Sequence, residues 1–162
     1  MKRAIRIIVT GVTATAFMDA AAFALHKAFG VVSLDYRLVG RWLGHMPRGR
    51  FAHGSIVAAP PIPGERQLGY AAHYAIGVGF AGVLDTVAGG RPGPGTAMAV
   101  GLGSVAAPWL VMQPAFGMGV AASKTANPVR ARVGSLRAHA IHGAGLWVGG
   151  KLAAAITGGM RG

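Results

Sequence analysis

The sequence predicts an all-α integral membrane protein, a bundle of four transmembrane helices with a long basic loop between helices 1 and 2. Hydrophobic residues make up 52% of the 162-residue chain and charged residues only 12%. Ordinary soluble domains carry roughly a quarter charged residues. Four long apolar stretches are also present, and a helix that crosses the hydrocarbon core needs about 20 mostly apolar residues. The chain is therefore interpreted as a single transmembrane domain.

The predicted spans differ in how they begin and where they are interrupted. The first follows a basic N-terminus, but the apolar run continues past every Ala-x-Ala-like site, so an uncleaved helix is expected rather than a signal peptide. A glycine- and proline-rich turn at residues 89–95 separates the second span from the third. Pro108 and Pro114 interrupt the third span. The predicted spans are residues 7–25, 69–88, 96–121 and 136–157.

Residues 33–66 form a polar insert between the first two spans. Leu38 and Trp42 recur at helical spacing beside arginines, which predicts a short helix lying in the membrane interface. The proline-rich residues 58–64 are predicted to be extended and to fold back as a lid. The side chains expected to contact other loops or lipid headgroups are Asp35, Tyr36, Arg37, Arg41, Trp42, His45, Arg48, Arg50, Glu65 and Arg66.

Polar side chains also occur inside the four spans. At about 1.5 Å of rise per residue, those nearest the polar insert fall in the same half of the bilayer. Such groups either form interhelical hydrogen bonds that fix helix register or belong to sites that bind protons, ions or a substrate. Two histidines on different helices could also ligate haem or a metal, although no strict metal-binding motif is present. The predicted cluster consists of Asp19, His73, Gln113, His139 and His142.

Glycine is abundant, with 27 residues, and much of it lies within the spans. Gly77, Gly79 and Gly82 fall on one predicted helix, and Gly145 with Gly149 form a small-xxx-small pair on another. This spacing lets helix backbones approach closely. Tight helix packing is expected, and self-association or a membrane-protein partner is compatible with the same faces.

The formal net charge of +12 restricts the partners. Nucleic-acid binders concentrate lysine and arginine on a soluble folded face, whereas here the cations lie between apolar segments. We therefore expect contacts with the lipid bilayer and its anionic headgroups, and no nucleic acid. The chain has no cysteine, which excludes disulfides and thiolate metal sites, and no cofactor is assigned.

Four long segments carry a family resemblance: SLDYRLVGRWLGHMPRGRF, PPIPGERQLGYAAHYAIG, APWLVMQPAFGMGVAASKTANP and SLRAHAIHGAGLW. They resemble the small bacterial inner-membrane proteins grouped as domain of unknown function 2938. The resemblance covers nearly the whole chain. It implies a four-span, multi-pass protein of the bacterial inner membrane, and it implies no reaction.

No catalytic apparatus is apparent from the sequence, since serine-nucleophile signatures, usable carboxylate pairs and phosphate-binding loops are missing. The leading hypothesis is a non-enzymatic membrane protein, either an accessory subunit or a small transporter of protons or a small solute. One alternative is a haem- or metal-binding redox subunit that uses His73 and His142. Another is a lipid-modifying membrane enzyme with histidine and aspartate as acid and base.

Overall fold

The computed structural model describes residues 2–32 and 34–159, so Ser33, the first residue of the polar insert, lies outside the described residues. Within these ranges all regular structure is helical and no strand is present, which confirms the predicted all-α class. The α-helices are α1 (Lys2–Phe29), α2 (Tyr36–His45), α3 (Glu65–Val87), α4 (Pro94–Gly103), α5 (Gln113–Ala115) and α6 (Pro128–Gly159).

The chain divides into two compact units. Unit 1 contains residues 1–33, 74–104 and 137–162, and therefore α1, α4 and the larger parts of α3 and α6. Unit 2 contains residues 34–73 and 105–136. It holds α2, the first turns of α3 and α6, and most of the irregular backbone.

Among the described residues, two helical stretches are long and apolar enough to cross a membrane, Lys2–Phe29 and Pro94–Ala115. The first ends where Gly30 adopts a left-handed conformation, with φ of 64°, a conformation that glycine takes without steric cost. The second is not a regular α-helix. A π-helical turn, Pro108–Met112, follows α4 and leads into α5, because a proline within a helix removes one amide donor and crowds the preceding turn.

The predicted third span ends too late. Helix stops at Ala115 rather than at residue 121. The carbonyl groups of Ala115 and Phe116 accept hydrogen bonds from the backbone amides of His53 (2.8 Å) and Ile56 (3.1 Å), and Gly117 has a φ of 84°. The polar insert thus supplies partners for the carbonyls at this helix end, which otherwise lack donors.

Unit 1 is packed through small residues. A methyl group at Gly149 would lie 2.6 Å from the carbonyl oxygen of Thr10, and one at Gly145 would lie 2.8 Å from that of Ala14. Backbones this close require glycine, so the predicted small-xxx-small pair on α6 is a packing contact with α1. Gly79 differs, because a methyl group there meets nothing within 4 Å among the described residues.

Candidate functional site

The five residues of the predicted polar cluster are divided between the two units. Asp19, His139 and His142 belong to unit 1, whereas His73 and Gln113 belong to unit 2. Convergence of all five on one centre stays a prediction. The members within each unit can be placed by their own contacts.

Helix register in unit 1 brings Asp19 and His139 to the same level. The α1–α6 contacts pair Thr10 with Gly149 and Ala14 with Gly145, so the two helices run antiparallel. Continuing this pairing by one turn along α1 places Asp19 opposite roughly residue 140. The register thus brings these two residues together in unit 1, and their common depth in a bilayer stays a prediction.

Two hydrogen bonds at this level involve protic side chains from four helices. The Tyr74 hydroxyl on α3 donates to a carboxylate oxygen of Asp19 on α1, at 3.2 Å. The Ser104 hydroxyl, at the end of α4, lies 2.7 Å from Nδ1 of His139 on α6 and donates to the Gly101 carbonyl at 2.6 Å. We call Asp19, Tyr74, Ser104 and His139 the polar layer.

His142 lies one turn further along α6 than His139. Its side chain is buried, and its ring packs edge-on against Phe80 with 6.4 Å between ring centroids. A buried imidazole beside an aromatic ring is thus part of the interior of unit 1. His142 therefore adds a second imidazole to the interior of unit 1, one turn beyond the polar layer.

The two unit 2 members have different surroundings. The His73 ring stacks on Tyr36, with centroids 4.1 Å apart, and Tyr36 in turn meets the edge of Tyr70. Gln113 is buried and donates from its amide nitrogen to the Ser135 hydroxyl at 3.5 Å. Its amide oxygen is buried without a hydrogen-bond partner among the described residues.

Asp35 caps the N-terminus of α2. Its carboxylate accepts from the backbone amide of Arg37 at 3.0 Å and from the Arg37 guanidinium at 2.7 Å. This cap satisfies an amide that a helix start leaves without a partner. The Arg37 side chain holds the pKa of Asp35 below its usual value. Arg37 is still 60% exposed, so this ion pair lies at the protein surface.

Arg41 differs from Arg37 in being buried within unit 2. Its Nε and Nη2 donate to the two carboxylate oxygens of Glu65, both at 2.9 Å. Its Nη1 donates to the carbonyls of Ile56, Val57 and Ala59. These donors are used inside unit 2, so the contact that Arg41 makes is with a loop of its own chain, one of the two kinds of contact that the sequence predicted. The guanidinium also lowers the pKa of Glu65.

Arg41 organises the returning loop, residues 49–64, which contains the segment predicted as a lid. Ile56 and Ala59 of this loop are buried with Val39 and Phe116 in the core of unit 2. The apolar stripe of α2 packs on the same core, and the Trp42 ring meets the edge of Phe116 at 5.8 Å between centroids. The prediction of an interfacial helix is revised accordingly, since much of the stripe is covered by this protein's own chain.

A pair of histidines joins the end of α2 to the returning loop. Nδ1 of His45 lies 2.8 Å from Nε2 of His53, and both side chains are buried. Nδ1 of His53 is buried without a hydrogen-bond partner in the described part of the chain. Burial, followed by the charges of His45 and Arg50, lowers the pKa of His53.

Three arginines of the insert, predicted to contact other loops or lipid headgroups, lie at the protein surface. Arg48, Arg50 and Arg66 are exposed. Within the described residues, the carboxylates of unit 2 that form ion pairs do so with Arg37 and Arg41. The positive charge of the three exposed arginines is therefore available to an external partner.

Sequence reasoning missed three residues of these sites. Tyr74, Ser104 and His53 were not selected, because a hydroxyl within a span and a lone histidine in a loop carry no motif. The hydrogen bonds that single them out join residues 55, 35 and 8 positions apart. Outside these sites, Asp85 is buried in unit 1, where it accepts hydrogen bonds from Arg3 and Arg6 and forms an ion pair with each.

Comparison with known proteins identifies a family for this chain but no activity. Among the described residues, no group of three or more His, Cys, Asp or Glu side chains is arranged to hold a metal ion. No curated protein and no solved structure matches the sequence. The model of one family, described as "Protein of unknown function (DUF2938)", matches residues 8–153. Since the match covers most of its length, the chain belongs to the DUF2938 family.

Proposed function

We propose that this protein is a four-span, multi-pass protein of the bacterial inner membrane that transfers protons through unit 1, with unit 2 contacting anionic lipid. The observation that carries the membrane assignment is the distribution of residues in unit 1. Its buried positions include small and polar residues such as Thr10, Ala14, Thr15 and Ser104.

Large apolar side chains of unit 1 point outward. Phe23 is 64% exposed and Val87 is 65% exposed. Water would disfavour so much apolar surface on one protein, whereas lipid accepts it. The pattern recurs on each long helix of the unit: Phe17 and Phe23 on α1, Ile76 and Val87 on α3, Leu102 on α4, and Leu152 and Ile156 on α6.

The polar layer supports proton transfer. It brings a carboxylate, a phenol, a hydroxyl and an imidazole from four helices to one level of unit 1. All four groups can give or accept protons, and ionisable groups at membrane depth mark proton relays in many transport proteins. A structural role in fixing helix register is the competing explanation, and flux measurements distinguish the two.

The exposed arginines of unit 2 support contact with anionic headgroups. Arg48, Arg50 and Arg66 are exposed, and Phe51 beside them is 61% exposed. Arginine attracts anionic phosphates, and an adjacent exposed aromatic ring suits the interface between headgroup and acyl chain. Binding to vesicles containing anionic lipid should weaken when Arg48 and Arg50 are both replaced by glutamine.

Membrane topology can be measured with single cysteines, because the chain has none of its own. We would introduce Ser55→Cys, Arg91→Cys or Ala126→Cys and label intact cells with a membrane-impermeant maleimide. Four spans place positions 55 and 126 on one side and position 91 on the other. If only Lys2–Phe29 and Pro94–Ala115 cross, positions 55 and 91 share a side instead. Labelling of all three from one side would refute a multi-pass protein.

Proton transfer can be tested in liposomes that contain the purified protein and a pH-sensitive dye. The native protein should dissipate a pH gradient faster than empty liposomes, and Asp19→Asn should abolish the difference because an amide does not titrate. Asp35→Asn, which alters a surface carboxylate in unit 2, is the matched control. Native flux no faster than in empty liposomes, or unaltered flux in folded Asp19→Asn, would contradict the proposal.

A further inference from the structure

Unit 2 contains a buried imidazole pair that plays no part in the proton transfer or lipid contact proposed above. His45 is 2% exposed and His53 is 8% exposed. Their facing nitrogens are 2.8 Å apart, which is hydrogen-bond distance. One of these nitrogens must therefore carry a hydrogen and the other must accept it.

The position of His53 makes this bond part of a larger attachment. The His53 backbone amide donates to the Ala115 carbonyl, and Ile56 donates to that of Phe116. The Trp42 indole donates to the carbonyl of Phe51 at 2.8 Å. The histidine pair thus lies in the middle of the contacts that hold the returning loop on unit 2.

Proton uptake changes the bond in two steps. With both rings neutral, or with one proton added, a single N–H···N hydrogen bond can persist. When both rings are imidazolium, N–H groups face each other across the same gap and both rings are positively charged. The two rings then repel each other, and the hydrogen bond between them is lost.

The surroundings of the pair do not compensate a second positive charge. Arg50 in the returning loop is a cation whose charge acts on His53. Arg41, also a cation, lies one turn before His45 on α2, and the Ala115–Phe116 segment carries no charge. Glu65, the carboxylate at the start of α3, is already paired with Arg41. Burial likewise disfavours charge, and it lowers the pKa of His53.

We propose that the His45–His53 pair is a proton-operated latch, which holds the returning loop closed at neutral pH and releases it when both rings are protonated. The direction of the pH effect follows from the linkage between proton binding and opening of the loop. The closed state binds fewer protons, so acid favours the open state below the ordinary histidine pKa of about 6.5. Each ring that takes up a proton contributes up to about a tenfold shift per pH unit.

The latch can be tested with two neighbouring cysteine reporters in the cysteine-free chain. Ala59 is buried in the closed loop, whereas Ala58 is exposed. The full-length protein carrying Ala59→Cys or Ala58→Cys would be labelled with a disulfide reagent that reacts in mild acid. Dividing the labelling rate of the Ala59→Cys variant by that of the Ala58→Cys variant removes the pH dependence of the thiol chemistry. We expect this ratio to rise at least about tenfold from pH 7.5 to pH 5.5.

The control replaces both rings with side chains that still form a hydrogen bond but do not titrate. In a His45→Gln and His53→Gln double variant the ratio should stay flat over the same interval. A flat ratio with the native histidines would overturn the proposal, and so would an equal rise in the double variant.

A second measurement keeps the test decisive if the double variant does not fold. Nitrogen-15 NMR of histidine-labelled native protein reports the protonation of each ring. Two buried rings should gain protons over the pH interval in which the thiol of the Ala59→Cys variant becomes reactive. Rings that stay neutral while this thiol becomes reactive would exclude the latch. Neither measurement depends on flux, so failure of the latch and failure of proton transfer are separable.

Discussion

Unit 1 and unit 2 are stabilised in different ways, although both are built from helices. In unit 1, close backbone contacts at Gly145 and Gly149 join helices that already satisfy their own hydrogen bonds. In unit 2, the irregular returning loop must find partners for its backbone, and the buried side chain of Arg41 supplies three of them. The comparison indicates that regular helices need only shape complementarity, whereas a folded-back loop needs donors placed inside it.

The largest effect is expected from removing the charge of Arg41. Arg41→Met keeps the apolar stem but leaves Glu65 and three carbonyl groups without their donor. Loss of one partner from a buried ion pair costs about 3–5 kcal/mol. Denaturant unfolding in detergent, followed by tryptophan fluorescence, should show this destabilisation.

Arg37 provides the matched control for Arg41. It also pairs with a carboxylate, that of Asp35, but its side chain is 60% exposed. Surface ion pairs contribute little to stability, so Arg37→Met should leave the unfolding midpoint nearly unchanged. Equal losses in the two variants would mean that the interior of unit 2 is no more dependent on charge than its surface.

A smaller loss is expected from adding one methyl group to unit 1. At Gly101 the methyl would meet the Gly143 backbone, whereas at Gly103, on the same helix, it would meet nothing within 4 Å among the described residues. Overpacking costs about 1–3 kcal/mol. Gly101→Ala should therefore lower the free energy of unfolding and Gly103→Ala should not. Equal stability of the two variants would show that unit 1 can move its helices apart freely.

Much of unit 1 was predictable from the sequence, because apolar length and glycine spacing are local signals. The all-α class, the turn near residues 89–95 and the packing role of Gly145 and Gly149 follow from them. The end of the third span was only partly predictable. Gly117, which is left-handed after the last turn, is a local signal for a helix end, whereas the amides that pair with Ala115 and Phe116 lie some 60 positions earlier in the chain.

Prediction of the candidate sites was limited in the same way, because local sequence does not show contacts between distant parts of the chain. Asp19 and His139 were recognisable, since ionisable residues stand out in apolar spans. Arg41 was recognisable as a charge, but its burial depends on Glu65, which lies 24 positions further along the chain. Amphipathic periodicity describes one helix at a time, so it could not reveal that the returning loop covers the face beside Arg41.

Acid should weaken unit 2 through Glu65, with a smaller effect than removal of Arg41. Because Arg41 lowers the pKa of Glu65 in the folded protein, stability from this carboxylate is fully present above its ordinary pKa of 4.5 and is lost as pH falls through the lowered value. Melting temperatures should fall in this acid range for the native protein and fall less steeply for Glu65→Gln. If the melting temperature of Glu65→Gln falls as steeply with pH as that of the native protein, Glu65 is not the source of the acid sensitivity. This pH range lies below the one in which the histidine latch is expected to open.

The smallest effect concerns the glycines of α3 and whether a second copy covers them. Gly77 faces the Thr15 side chain, whereas Gly79 meets nothing within 4 Å among the described residues. Alanine is preferred to glycine inside a helix by about 0.5–1 kcal/mol. Gly79→Ala should therefore stabilise the protein slightly and Gly77→Ala should destabilise it. If Gly79→Ala is destabilising and also lowers the mass of the detergent-solubilised particle, the Gly79 face of α3 packs against another copy of the chain.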